Sequence, residues 1–419
     1  TAVGAGTVTL LNSGLVSLTL DADNSDANTL VATVGFRDAT NVFSTKTYAG
    51  AANSLLAMSS ASTTGELQTI RQNLISSATS ASASEEVAES ISPTVDGGAT
   101  NTALTNVSNS ANGLTGQRLA SLRDGTSETG MAAGNLTHGL KMWAQVFGST
   151  GEQDERDGIA GYDVDTYGVT VGIDTQTLAE DWVWGLAFTY ADTEVDSNNV
   201  NSTNTEIDTY QIALYADYKW DAQTYVNGIV GYGFNDADQT RHNVGTIAGL
   251  TANSDFDTDQ FFAKLETGRD YELNNGTTLT PFALANFSYL DTEGYTETGA
   301  GTANLTVDTD DQYIFELGLG LEASWLHELE DGSYLKPSLV AGYRYDLADD
   351  EVEATSTFNN TGAVAFQTKG FDPQNHTFNV GAGLTFYTTA NWELSADYNY
   401  ELKEDYDSHN GFVRAAYRF

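Results

Sequence analysis

From about His138 to Phe419 the sequence repeats segments of roughly ten residues in which apolar and polar side chains alternate with period two. Trp392, Leu394, Ala396, Tyr398, Tyr400 and Leu402 share one face of such a segment, and Glu393, Ser395, Asp397, Asn399 and Glu401 share the other. Tyr313, Phe315, Leu317, Leu319, Leu321, Ala323 and Trp325 repeat the pattern over Glu316, Gly318, Gly320, Glu322 and Ser324. Side chains of a strand point alternately to opposite faces, so each segment predicts a strand with one apolar and one polar side. Aromatics stand at the segment ends and aliphatics in the middle, the order that an apolar band between two headgroup-level belts requires. No window approaches the about 20 consecutive apolar residues of a transmembrane helix, so a membrane crossing falls to strands.

Twelve such segments start near Leu140, Asp165, Asp181, Ile207, Gln223, Asp257, Thr277, Thr309, Ser333, Asn375, Asn391 and Gly411. The stretches between them alternate in length. Residues 152–164, 196–206, 236–256, 292–308 and 347–372 are long, whereas Ala179-Glu180, Asp221-Ala222, Asn274-Asn275-Gly276, Glu330-Asp331-Gly332 and Thr389-Ala390 are short. Long loops on one side and tight turns on the other characterise single-chain outer-membrane barrels. A soluble sandwich also alternates, but it has shorter strands and no reason to segregate its loops by length. The expectation is an all-β transmembrane barrel of about twelve antiparallel strands over residues 138–419.

Upstream the texture changes twice. Residues 1–50 carry short alternating runs, Thr7-Val8-Thr9-Leu10 and Leu15-Val16-Ser17-Leu18-Thr19-Leu20, which predict a small β-rich segment, too short for a core of its own. Residues 51–98 read as a helical connector. Thr63-Thr64-Gly65-Glu66 has capping-box spacing before Leu67, Ile70 and Leu74, and a second helix starting at Ser82 ends where Pro93 stops it. Residues 99–137 predict a polar helix and lead-in. Leu104, Val107, Ala111, Leu114 and Arg118 recur at helical spacing among Ser, Thr, Asn and Gln. With Gly113 and Gly116 in its middle this helix is marginal alone, so its surroundings must order it.

Composition removes several functions. Seventeen Lys and Arg against 58 Asp and Glu give a formal charge of −41, which repels phosphate backbones and excludes nucleic acid as a partner. Cysteine is absent, so there is neither a disulfide framework nor a thiolate metal site. No Gly-x-Ser-x-Gly, His-Glu-x-x-His or phosphate-binding Gly-Lys motif occurs, and His138, His242, His327, His376 and His409 are scattered, so no enzyme and no cofactor are expected. No signal peptide follows Thr1, and the chain reads as processed or trimmed.

The chain ends on Val413, Ala415, Tyr417 and Phe419, alternating with Arg414, Ala416 and Arg418. A terminal Phe with an aromatic two residues earlier resembles the insertion signal read by the bacterial outer-membrane barrel-assembly machinery. Ala120-Ser121-Leu122-Arg123-Asp124-Gly125 follows the polar helix, and Lys141-Met142-Trp143-Ala144-Gln145-Val146-Phe147-Gly148-Ser149 follows in turn. Gly161-Tyr162-Asp163, Gly168 and Gly172-Ile173-Asp174 come next. Together these resemble the translocator domain of classical autotransporters, type V secretion, over residues 92–419. The resemblance implies a twelve-stranded barrel threaded by an α-helical linker that joins it to a surface passenger, here a short remnant. It implies a monomeric barrel with outer-membrane lipids, lipopolysaccharide and the assembly machinery as partners, and the N-terminal segment at the cell surface.

Some members of that family cleave themselves in the pore at an Asn-Asn junction. Here the pair is Asn112-Gly113, out of register with that junction, so an ordinary helix and a retained N-terminal segment are expected. Asp165-Thr166-Tyr167, Asp208-Thr209-Tyr210, Asp257-Thr258-Asp259 and Asp308-Thr309-Asp310 predict an acidic outer rim, with Asp165, Asp208, Asp257 and Asp308 as candidates for divalent-cation bridging. A solvated acidic surface is the simpler reading. The function expected is export and anchorage of the chain's own N-terminal passenger. The alternatives are an adhesin or surface-coat protein that uses the barrel as anchor, and a porin-type channel.

Overall fold

The computed structural model describes residues 14–20, 31–60, 63–95, 98–123, 141–175, 181–273, 276–360, 362–370, 373–389 and 392–417. A hairpin of β1 (Val16–Leu20) and β2 (Ala32–Phe36) comes first. Four helices follow: α1 (Ala49–Ala57), α2 (Gly65–Ser77), α3 (Ala81–Ser90) and α4 (Ala99–Arg123). Then come β3 (Lys141–Gln153), β4 (Tyr162–Thr175), β5 (Trp182–Ser197), β6 (Asn204–Lys219), β7 (Thr224–Arg241), β8 (Ala252–Arg269), the stub β9 (Tyr271–Glu272) and β10 (Thr277–Thr292). The chain continues through β11 (Tyr295–Thr296), β12 (Leu305–Thr309), β13 (Gln312–Trp325), the stub β14 (His327–Glu328) and β15 (Tyr334–Asp346). It ends with β16 (Glu353–Phe358), β17 (Phe366–Lys369), β18 (His376–Tyr387), β19 (Trp392–Lys403) and β20 (Tyr406–Tyr417).

Twelve of these, β3 to β8, β10, β13, β15 and β18 to β20, pair antiparallel with their neighbours, and β20 returns to β3 to close the ring. Closure removes every sheet edge, the condition a β-structure must meet in hydrocarbon. The period-two pattern sets the register. Leu317, Leu319 and Leu321 face outward and are about half exposed, while Glu316 is buried inward. Outward aromatics mark both rims. Trp182, Trp184 and Tyr218 stack at the end of the tight turns, and Tyr190–Tyr210 and Tyr289–Tyr313 pair nearer the long loops.

The barrel is lopsided. β7 and β8 each run 18 residues, whereas β18, β19 and β20 run 12. A crossing needs about 9–11 residues, so one wall continues well past the outer aromatic row. On this extension, together with a four-stranded loop sheet of order β11-β12-β16-β17, rest α1, α2 and α3. Leu55, Leu67, Ile70, Leu74 and Val87 from these helices share one core with Val244, Phe256, Leu305 and Phe358 from the barrel loops and strand ends. The segment expected to be a helical connector is helical and folds as a cap, with the barrel's outer strand ends and loops supplying the second half of its core.

Two strand assignments move. β20 begins at Tyr406 rather than near Gly411, after a two-residue turn through Asp405 (φ 58°). Asp407 and His409 point outward while Ser408 and Asn410 point inward, so both faces are polar there and the alternation disappears. Asp308 and Thr309 belong to β12 in the loop sheet, and the barrel strand starts at Gln312. Among the upstream expectations, Thr7 to Leu10 and the lead-in at 124–137 lie outside the described residues.

Candidate functional site

The site is the barrel lumen with the helix that threads it. α4 enters at the outer mouth, where Ala99, Ala103 and Leu104 join the cap core, and ends beside the tight turns. It lies against β4 to β7. Val107 and Leu114 meet Phe147, Ala191 and Phe412, while Leu119 and Leu122 meet Trp143, Val183, Ile229 and Phe262. Small residues on the wall make room for two of these rings. Gly168 and Gly172 lie opposite Phe147 and Trp143, and a Cβ there would fall 2.2 and 2.4 Å from the facing ring.

Polar matching orders the rest of the helix. Arg118 donates from Nε to Asp174 Oδ2 at 2.8 Å and from Nη2 to Oδ1 at 3.1 Å, a bidentate pair whose side chains are buried. Arg123 donates from Nη1 to Asp217 at 2.5 Å and lies 3.5 Å from the Tyr225 ring centroid. Lys219 donates to the Arg123 carbonyl at 3.4 Å, which places cations at the negative end of the helix dipole. Midway, Gln211 donates to Ser108 Oγ, Ser108 to Gln260 Oε1 and Gln260 to Ser288 Oγ, all at 2.8–2.9 Å.

The helix does not fill the lumen. A cavity of about 310 Å³ separates Asn109, Gly113 and Gly116 from the inner face of β13 to β19, and a smaller one of about 100 Å³ lies above it, by Thr102 and Tyr406. Several charges at the larger cavity are paired. Arg344 sits between Glu316 at 3.1 Å and Glu401 at 2.7 Å, and Lys264 pairs with Glu266 at 3.0 Å.

Leu104, Val107, Ala111, Leu114 and Arg118 all lie on the buried side of α4. Asn112 and Gly113 lie within this unbroken helix, whose hydrogen bonds hold the backbone away from the bend that Asn cyclisation needs. Val413 and Ala415 face outward on β20, Tyr417 is its last residue, and Phe419 lies outside the described residues. Of the proposed cation rim, Asp165, Asp208 and Asp257 stand on β4, β6 and β8 in two adjoining rows of carboxylates, whereas Asp308 stands on the loop sheet; among the described residues no three carboxylates or imidazoles converge to hold a metal ion.

Nothing in the local sequence marks the cap's anchors. Glu85 accepts from Ser44 N at 3.2 Å and Thr45 N at 2.5 Å. Burial pushes the Glu89 carboxyl up against the lowering effect of the Val200 N–H, with Glu85 and Glu86 adding to the rise. Arg241 and Glu297, buried at the far ends of barrel strand and loop, pair at 2.7 Å. The one available signal is parity, since Arg241 occupies an inward position of β7.

A family profile described as "Autotransporter beta-domain" matches residues 142–399. Outer membrane protein A of Rickettsia conorii is 26% identical over 284 residues, 66% of this chain and 14% of that protein. Outer membrane protein B of Rickettsia rickettsii is 23% identical over 342 residues, 73% of this chain and 20% of that protein, so the chain spans a small part of these curated relatives. The fold is shared with the translocator domain of autotransporter NalP from Neisseria meningitidis, with TM-score 0.55 and 20% identity over 74% of this chain and 98% of that one. A closed twelve-stranded barrel threaded by a helix, with that profile matched across most of its strands, makes this outer-membrane chain a member of the autotransporter family.

Proposed function

We propose that the chain exports its own N-terminal segment through the outer membrane and then anchors it there, with α4 as the tether that stays in the lumen. One observation carries the reading. α4 runs unbroken from the cap at the outer mouth to Arg123 near the tight turns, so every described residue before Ala99 stands on the long-loop side while β3 begins on the other. A chain inserted from the inner side reaches that arrangement only by moving its upstream part across. Folding of the cap and closure of the barrel supply the driving force, and no enzymatic step is assigned. The outward face of β20 near Val413 and Ala415 is what assembly machinery and lipid meet. A porin-type channel is the weaker reading, because helix and cap together occupy the lumen and its mouth.

An epitope inserted between β1 and β2 tests the proposal on intact cells. Antibody binding before permeabilisation is expected, together with retention of the epitope on the full-length chain. Binding only after permeabilisation overturns export and makes the N-terminal part a periplasmic scaffold.

A further inference from the structure

The cap ends in a contact that the tether does not require. Arg241, at the outer end of β7, donates from Nε and Nη2 to Glu297 at 2.7 and 2.9 Å, and both side chains are 1% exposed. Its remaining nitrogen, Nη1, donates to the carbonyls of Ser92 at 2.7 Å and Ser90 at 3.4 Å. Those two carbonyls close the C-terminal end of α3, where the last turn of a helix has no intrahelical donors and a cation meets the negative end of the dipole. Asn201, in the β5–β6 loop, donates to the same Ser90 carbonyl at 3.1 Å and to His242 O at 2.8 Å. Glu297 is held in turn by the Leu305 N–H at 2.8 Å. Three barrel loops thus build a socket for one helix end, fixed by contacts that do not involve α3.

The helix in the pore leaves open space along β13 to β19, in one cavity of about 310 Å³ and, nearer the mouth, another of about 100 Å³. Above that side the cap rests on the β15–β18 loop, where Ser54 donates to the Val364 carbonyl at 2.5 Å and Thr47 to the Lys369 carbonyl, and Phe358 and Phe366 join the cap core.

We infer that the cap is a lid over an incompletely plugged pore, and that Arg241 with Glu297 is its latch, a receptor built by the barrel loops for the C-terminal end of α3. Opening withdraws two carbonyls from Arg241 Nη1 and leaves the Arg241–Glu297 pair intact. The latch therefore releases without leaving a single charge buried, the outcome that makes breaking other buried pairs so costly. This goes beyond export, since a lid has the same role however the chain arrived.

The absence of cysteine makes the test clean. Val95, 6% exposed, follows the latched carbonyls, and Val95→Cys reports opening through its rate of labelling by an impermeant maleimide on intact cells. The heat-induced shift in gel mobility reports the folded barrel independently. In full-length protein, Arg241→Met is expected to speed labelling at least tenfold and to raise conductance in planar bilayers, with the barrel still folded. Thr94 and Thr203, whose hydroxyls lie 3.2 Å apart, give a pin. In Arg241→Met carrying Thr94→Cys and Thr203→Cys, oxidation is expected to restore low conductance and reduction to release it. A folded Arg241→Met with labelling and conductance within twofold of the parent overturns the latch. If that variant does not insert, Asn201→Ala removes the second donor to Ser90 while sparing the ion pair. Several-fold faster labelling then supports the lid, and an unchanged rate overturns it.

Discussion

Arg118 and Asp174 show how one pair ties the tether to the wall. Both are buried, each satisfies the other bidentately, and Tyr215 and Trp143 pack beside them, joined by a 2.8 Å hydrogen bond. Removing one partner strands a charge away from water, at a cost of about 3–5 kcal/mol. Arg118→Met and Asp174→Asn should each lower the urea midpoint for loss of the folded gel band, and the double variant should lose less than the sum of the singles. Additive losses would mean that the two residues act separately and that the tether is held by its apolar side alone. The sequence shows Arg118 through its place in a helical repeat with Leu104 and Leu114, and Asp174 through the Gly172-Ile173-Asp174 resemblance. Nothing local pairs the two, because they lie 56 positions apart.

At the scale of elements, α2 separates what periodicity conveys from what it cannot. Leu67, Ile70 and Leu74 form the buried stripe that their spacing predicts. The capping box does not form, for the Thr63 hydroxyl turns back to the Ser59 and Ser60 carbonyls and Thr64, the N-cap, makes no side-chain cap. The hydroxyl that caps the helix belongs to Thr302 in the β10–β13 loop, accepting from Leu67 N at 3.0 Å and donating to Thr64 O at 2.8 Å. Thr302→Val should therefore destabilise α2 by about 1 kcal/mol, the usual worth of an N-cap. Faster amide exchange confined to α2 is the readout, and Thr64→Val should leave that exchange unchanged. The barrel strands were legible for the opposite reason. Each strand's two environments, lipid and lumen, are written into its own alternation, so no distant partner has to be known. Legibility fails where both faces are polar, as at the start of β20, or where a strand pairs above the membrane, as β12 does.

Taken whole, the molecule carries its charge unevenly. On the outer face of the tall wall, register puts Asp165, Glu194, Glu206, Asp238 and Asp255 side by side across five strands, with Asp192, Asp208, Asp236 and Asp257 in the next row. Arg241 and Lys264 point inward, and Lys219 and Arg269 stand at the opposite end, so no cation on β4 to β8 joins either row. Like charges directly opposite one another weaken a strand pair. All of these carboxylates but the half-buried Asp208 are exposed, so the repulsion is screened by salt, with a Debye length of about 10 Å at 0.1 M and 3 Å at 1 M. Folded barrel stability should accordingly rise with sodium chloride, read as the temperature at which the folded gel band is lost. Asp236→Asn with Asp238→Asn, in the middle of the two rows, should raise stability at low salt and flatten the slope. Comparing magnesium with sodium at equal ionic strength separates two causes. Equal stabilisation means simple screening by a solvated acidic surface. A larger effect of magnesium that the double variant abolishes means that divalent ions bridge these rows to each other or to anionic headgroups. A salt slope unchanged by the double variant would place the salt sensitivity elsewhere, in the loop carboxylates of the cap.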